Sequence, residues 1–200
     1  NALESDRLPE IDALYIGGGF PETNAAQLSG NRLFRICVKS FVESGGPVYA
    51  ECGGFMFLAR NLIVDHKIFP MIGVFPAQSI LSKKPQGLGY VELKALENNS
   101  FFENGKILKG HEFHYSNMVL DDVAAYSPPF DVLRGRGING NHDGFCVKNA
   151  MGLYTHIHAL SEPIWADALI KKAREFQFKK TLQNENITNA NNSKAYGRRP

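Results

Sequence analysis

The stretch Val48-Tyr49-Ala50-Glu51-Cys52-Gly53-Gly54-Phe55-Met56-Phe57-Leu58 decides how this chain is read. Its first four residues have the length and composition of a short buried strand, and residues 55–60 read as the start of a helix. A cysteine stands between them, with Ala50 two residues before it and Gly54 two residues after. A strand that turns abruptly into a helix at a nucleophile needs small residues at those places, because the backbone of the turn packs too closely for side chains. This is the mechanical logic of a nucleophile elbow, with Cys52 at its tip. The helix that follows aims its first N–H groups and the positive end of its dipole at the sulfur. A free thiol with a pKa of about 8.5 is only slightly ionised at pH 7. A helix N-terminus and a neighbouring His both favour the thiolate. The plainer reading of the same residues is a buried structural cysteine beside a Gly-rich turn.

Upstream, residues 11–16 form a short apolar segment that ends at Gly17-Gly18-Gly19, a buried strand running into a tight loop. Residues 23–44 read as helical with a break at Gly30, after which Asn31 can cap the second piece. Leu33, Ile36, Cys37, Ser40 and Phe41 recur at helical spacing, which predicts one buried face and makes Cys37 an inert packing residue. Gly45-Gly46-Pro47 stops that helix. The order strand, helix, strand, helix implies parallel strands joined by crossover helices. Downstream, residues 88–96 and 113–120 read as strands. Residues 144–148 and 152–160 form a second pair around a turn at Asn149-Ala150-Met151, with Cys146 facing packing. Pro163 opens a last helix carrying Trp165, Ala168, Leu169, Ala173 and Phe176. Residues 97–110 and 121–143 read as connecting segments.

Composition bounds the function classes. The chain has 200 residues, 44% of them hydrophobic and 21% charged, enough for one sizeable α/β domain. No apolar run approaches the roughly 18 residues of a membrane span. The formal net charge of +2 is uneven. Residues 179–200 hold Lys179, Lys180, Lys194, Arg198 and Arg199 against Glu185, so the rest of the chain is slightly acidic and carries no nucleic-acid footprint. That Asn-rich, basic end predicts a disordered tail after a domain spanning residues 1–178. Three cysteines, none in a CxxC pair, predict no disulfide framework and fit a reducing cytoplasm.

Three features add to the elbow. The Gly17-Gly18-Gly19-Phe20-Pro21-Glu22 loop lets backbone N–H groups approach a developing oxyanion. Tyr154-Thr155-His156-Ile157-His158 lies late in the chain on a strand-like segment, with both His side chains on one face, and can bring a His to the sulfur. Gly110-His111-Glu112-Phe113-His114-Tyr115-Ser116 is an unusually polar and aromatic strand.

In order along residues 10–176, GGGFPE, AECGGFMFL, QGLGY, GHEFHYS and YTHIHAL followed by PIWA resemble the class I glutamine amidotransferases. The resemblance is closest to the glutaminase domain of the cobyrinic acid a,c-diamide synthase family. It implies an α/β fold of the flavodoxin-like three-layer kind, with a mixed, mainly parallel central sheet. It implies Cys52 as the nucleophile on glutamine and His156 as the base that later protonates departing ammonia. It implies an oxyanion hole from the N–H groups of Gly19 and Gly53, and a glutamine pocket lined by His114, Tyr115 and Ser116. Many class I amidotransferases carry Glu two residues after the catalytic His. Here that position is His158, which leaves open what orients His156 and leaves His158 as a second candidate base. The resemblance also implies that this chain is the C-terminal half of a synthetase. ATP and Mg²⁺ would serve an upstream domain that activates the tetrapyrrole acceptor, and no G-x-x-x-x-G-K-[ST] segment occurs here. No cofactor is expected in this domain.

Other readings stand beside these. His111, His114, His156 and His158 form a His-x-x-His and a His-x-His, but no acidic cluster supports a metal site and none is expected. His111 and His114 are readable as contacts to a tetrapyrrole or a domain interface, or as parts of a hydrogen-bond network. Arg134-Gly135-Arg136-Gly137 is readable as a carboxylate clamp or, preferably, as a solvated loop. Glu22 and Glu51 are each readable as a glutamine contact or a structural cap. His66, between Asp65 and Lys67, reads as surface. The same glutaminase could serve a sirohydrochlorin-type amidation. A non-catalytic domain of the same fold and a cysteine hydrolase acting elsewhere are the rival classes.

Overall fold

The computed structural model describes residues 1–196 of the chain. β1 (Leu14–Ile16) leads through a glycine loop and a 3₁₀ turn at Pro21–Asn24 into α1 (Ala25–Gly30) and α2 (Arg32–Glu43). β2 (Val48–Glu51) runs into the short α3 (Gly53–Leu58). Next come β3 (Ala59–Val64), β4 (Lys67–Pro70), β5 (Phe75–Leu81), and the long pair β6 (Gly87–Ala95) and β7 (Ile107–His114). β8 (Ser116–Leu120), β9 (Phe130–Arg134) and β10 (His142–Asp143) precede the hairpin of β11 (Phe145–Val147) and β12 (Ala150–Leu153). β13 (His156–Ile157) and α4 (Ile164–Tyr196) follow.

The central sheet has the order β1-β2-β12-β11. β1 and β12 are both parallel to β2, and β11 returns antiparallel to β12, so the sheet is mixed and mainly parallel, as expected. Its alternating residues feed two cores, as the two-residue period of a strand dictates. Val48, Ala50 and Ala150 join Val38, Phe55, Leu58 and Phe75 on one face. Tyr49, Met151 and Leu153 join Leu93, Phe130, Trp165 and Ala168 on the other. The first face is covered by α1, α2, α3 and the sheet β4-β3-β5-β8. The second is covered by α4 and the sheet β10-β9-β6-β7-β13. This is the three-layer α/β arrangement the motifs implied.

The break at Gly30 is present, and Asn31 caps α2 by accepting the Phe34 N–H at 3.2 Å. The buried face of α2 differs from the expected one. Phe34, Val38 and Val42 are buried, whereas Leu33 and Ile36 are exposed. Both stripes have helical spacing, and packing on the sheet selected the one a residue further along. Cys37 is half-buried on the flank and accepts the Leu8 N–H at 3.4 Å. The segment read as one strand over 113–120 is two, broken at Tyr115. The segments read as connecting contain the first half of β7 and all of β9 and β10. The hairpin turn sits at Lys148 and Asn149 rather than one residue later, with Lys148 at φ 55°.

α4 continues past residue 178, where the domain was expected to end. Lys180 Nζ lies 3.2 Å from Asp12 Oδ1, and Thr181 Oγ1 donates to the Gln177 carbonyl. No Gly or Pro stands between Pro163 and Gly197 to stop the helix. Residues 197–200 of the expected tail lie outside the described residues. Among the described residues, no helix is long and apolar enough to cross a membrane.

Candidate active site

Parallel pairing brings three chain segments out of the sheet at one edge. Ile16 is level with Ala50, and Leu153 is level with Glu51. The Gly17-Gly18-Gly19 loop, the Cys52 turn and the Thr155-His156 segment therefore all leave at the carboxyl ends of parallel strands, where open α/β sheets carry their sites.

Cys52 sits at the tip of the elbow with φ 45° and ψ −101°, a left-handed backbone for a side chain that disfavours it. Two contacts hold the turn. The Cys52 N–H donates to the Leu153 carbonyl at 2.8 Å, and the Met56 N–H closes the first turn of α3 on the Cys52 carbonyl at 2.9 Å. The glycines after it are dictated by close approach. A Cβ on Gly53 would strike the Gly19 backbone, and one on Gly54 would strike the Ile16 carbonyl. The elbow and the glycine loop thus press together main chain to main chain. Cys52 is buried, and its Sγ lies 3.7 Å from the Phe113 carbonyl oxygen.

His156 lies beside the sulfur and is held by several neighbours. Its main chain pairs β13 against β7, level with His111. The His111 ring stacks on it at 4.9 Å between centroids and 14° between planes. Gly18 packs against its far edge, leaving no room for a Cβ. Its Nδ1 is 3.7 Å from Glu51 Oε2. The adjacent Cys52, followed by Glu51, outweighs desolvation and raises the His156 pKa to about 9, so the imidazolium is the favoured form at neutral pH. Burial, then the proximity of His156, lowers the His111 pKa, so the stacked partner favours the neutral form.

The segment that delivers His156 is anchored by a buried carboxylate. Asp143 accepts the N–H groups of Tyr154 and Thr155, each at 3.1 Å, and the Thr155 hydroxyl at 2.9 Å. Burial raises its pKa, and those three hydrogen bonds oppose the rise. Asp143 sits in a stretch the sequence presented as a connection, and only its placement shows what it does.

The fold therefore brings Cys52, Gly53, Gly19 and His156 together. His158 follows the end of β13, is exposed, and lines a groove with Leu88, Tyr90, His111 and Phe113. That groove has a volume of about 700 Å³. His114 and Ser116 are buried beneath the site rather than open to it. The His114 ring stacks on Tyr154 at 3.7 Å, its Nδ1 meets the Ser116 carbonyl at 2.9 Å, and the Ser116 hydroxyl meets the Tyr154 hydroxyl at 2.9 Å. Tyr115 is half-buried against Phe113. Glu22 lies in the 3₁₀ turn after the glycine loop. Arg134 ends β9 and Arg136 lies on the loop after it, both exposed, and Glu112 accepts the Arg136 and Gly137 N–H groups from below. Among the described residues, no three His, Cys, Asp or Glu side chains converge as a metal site.

Comparison with known proteins gives this geometry a lineage. Residues 2–164 match the CobB/CobQ-like glutamine amidotransferase domain. The chain is 41% identical over 173 residues to a cobyrinate a,c-diamide synthase of Archaeoglobus fulgidus, covering 86% of this chain and 37% of that protein. It is 37% identical over 174 residues to the enzyme of the same name from Methanobrevibacter smithii, again 86% of this chain but 38% of the relative. The chain thus spans less than two-fifths of the length of these relatives. Among solved structures, a glutamine amidotransferase superposes with a TM-score of 0.58 at 16% identity, covering 81% of this chain and 79% of that one. PurLQS from Thermotoga maritima superposes with a TM-score of 0.56 at 17% identity, covering 88% and 83%. At such identities the structural likeness speaks for the fold, and the sequence likeness speaks for the lineage. The chain belongs to the family of CobB/CobQ-like glutamine amidotransferase domains, homologous to the cobyrinate a,c-diamide synthases.

Proposed function

We propose that this domain hydrolyses glutamine through a thioester on Cys52 and supplies the ammonia for ATP-dependent amidation of the a and c side-chain carboxylates of cobyrinate. The observation that carries the reading is His156 set against Cys52 at the carboxyl edge of the sheet, with the backbone of Gly19 and Gly53 alongside. The sulfur attacks the side-chain amide carbon of glutamine, and a C–S bond forms as the carbonyl π electrons move to oxygen. The N–H groups of Gly19 and Gly53 are the candidates to receive that oxyanion. As the oxyanion collapses, the C–N bond breaks and nitrogen takes the His156 proton, leaving as ammonia. Water then adds to the thioester, giving one proton to the neutral His156. Collapse of this second intermediate breaks the C–S bond, restoring the thiolate and imidazolium and releasing the side-chain carboxylic acid, which ionises to glutamate by giving its proton to solvent. His114, Tyr115 and Ser116 form the floor of the glutamine pocket in this reading, with His114 and Ser116 acting from beneath.

The acceptor chemistry rests on the names of the relatives. In this proposal the portion of those proteins that the chain does not span carries ATP and Mg²⁺ and binds the tetrapyrrole. The groove beside His111 would face it. Three free cysteines fit a reducing cytoplasm. Ammonia and glutamate release should be measured with the purified protein and glutamine, followed by mass spectrometry after treatment with a glutamine-like electrophile. Cys52→Ala is expected to abolish hydrolysis, and the electrophile to label Cys52. Hydrolysis that survives Cys52→Ala would sink the proposal.

A further inference from the structure

We infer that Glu51, the residue immediately before the nucleophile, is the carboxylate that positions His156, taking the role that Glu two residues after the His plays elsewhere in the class. The inference deepens the proposed Cys52–His156 reading and rests on it.

The placement argues for this directly. Glu51 is the last residue of β2 and is buried, at 4% exposure. A buried carboxylate must be satisfied by partners, and each partner here belongs to the site. Its Oε1 accepts the Ile157 N–H at 3.1 Å. Its Oε2 accepts the Tyr15 hydroxyl at 3.0 Å and faces His156 Nδ1 at 3.7 Å. One side chain therefore grips both the backbone of β13 and the ring it carries. The 3.7 Å separation is a charge contact just beyond hydrogen-bond length, of the kind that tightens when substrate fills a site. Tyr15, from β1, fixes the carboxylate oxygen that meets the ring, so three strands combine to hold one imidazole.

Every ionisable group around the ring fits the same assignment. Cys52 lies on one side, His111 stacks from β7, and His158 sits beyond His111. Tyr15 and Tyr49 face Glu51, and burial followed by the Glu51 charge holds both phenols protonated. Among these neighbours only Glu51 is a carboxylate in reach of the imidazole. His158, which occupies the position two residues on, is exposed and directed into the groove.

The test separates Glu51 from the sulfur. The His156 ring should be titrated by NMR in Cys52→Ala and in Cys52→Ala/Glu51→Gln, with no turnover required. Gln keeps the oxygen that accepts the Ile157 N–H and removes the charge. The His156 pKa is expected to stay above 6.5 in the first protein and to fall by one unit or more in the second. In the otherwise wild-type chain, Glu51→Gln should lower kcat for glutamine about 100-fold with little change in KM. It should also move the alkaline limb of activity to lower pH, and Glu51→Asp should recover part of the loss. An unchanged His156 titration together with an unchanged pH profile in Glu51→Gln overturns the inference. Should Glu51→Gln not fold, the comparison passes to Glu51→Asp, in which an unmoved His156 titration and unmoved kcat overturn it. The ring titration reads Glu51 even if glutamine proves not to be the substrate, so failure of the two readings can be told apart.

Discussion

Gly18 packs against the Cε1 edge of the His156 imidazole, so close that a Cβ would overlap the ring. The glycine loop is therefore one wall of the slot that holds this ring, in addition to supplying backbone near the sulfur. The His156 ring is half-open on its other side, so it can yield to a methyl group, but only by leaving its place beside Cys52 and Glu51. Gly18→Ala is expected to lower kcat for glutamine hydrolysis by about 100-fold, since a displacement near 1 Å costs that much in a positioned site. Its thermal midpoint should move by only a few degrees. Equal loss of stability and activity would count against this.

The contact between Gly53 and Gly19 should behave differently, because backbone cannot swing aside. A Cβ on Gly53 meets the Gly19 main chain, whereas a Cβ on Gly19 meets nothing within 4 Å. Gly53→Ala is expected to destabilise the fold by about 2–3 kcal/mol, the usual cost of overpacking. Gly19→Ala should change stability by less than about 0.5 kcal/mol. Urea midpoints of the two variants read the contrast.

What the sequence revealed of the site follows from the range of the interactions involved. Cys52 and its flanking small residues were legible because the elbow is local and its steric demands fall on adjacent positions. His156 was legible as a candidate, but its choice over His158 depended on β13 ending after two residues, which no alternation pattern announces. The roles of Glu51 and Asp143 were hidden. Each acts across the sheet on a residue more than ten positions away, and burial of a carboxylate leaves no periodic trace. The same limit explains the strands missed after residue 58. β3 and β5 pair in parallel and β5 pairs with β8, so their partners, rather than their own composition, define them. On α2 the two apolar stripes were equally regular, and only the position of the sheet decided between Leu33 and Phe34.

Asp143 supports a prediction about the route from β12 to the site. Its carboxylate is the acceptor for two consecutive main-chain N–H groups and the Thr155 hydroxyl, all buried. Asp143→Ala leaves these donors without a partner. The expected cost is about 3 kcal/mol, the scale of an uncompensated buried polar cluster. Hydrolysis by the surviving folded fraction should also weaken, because Thr155 is joined directly to His156. Asp143→Asn keeps one strong acceptor and should lie between the two proteins. Chemical denaturation with parallel assays of glutamate release checks the order.

The raised His156 pKa fixes the direction of the pH dependence. Its charged form is favoured in the fold by Cys52 first and Glu51 second, lifting the value from 6.5 to about 9. A basic group whose pKa is raised on folding binds its proton more tightly in the native state than in the unfolded one. Its contribution to stability is then complete below about 6.5, and it is lost as the pH rises through 9. Catalysis should lose its acid over the same upper range, because ammonia must take a proton from His156 as it leaves. The thermal midpoint of the wild-type protein should decline between pH 7 and pH 9.5, and kcat should fall along an alkaline limb centred near 9. In His156→Gln the group is absent, so the part of the decline in midpoint that belongs to it should vanish. A wild-type alkaline limb centred near 6.5 would show that the imidazolium is not held by its neighbours.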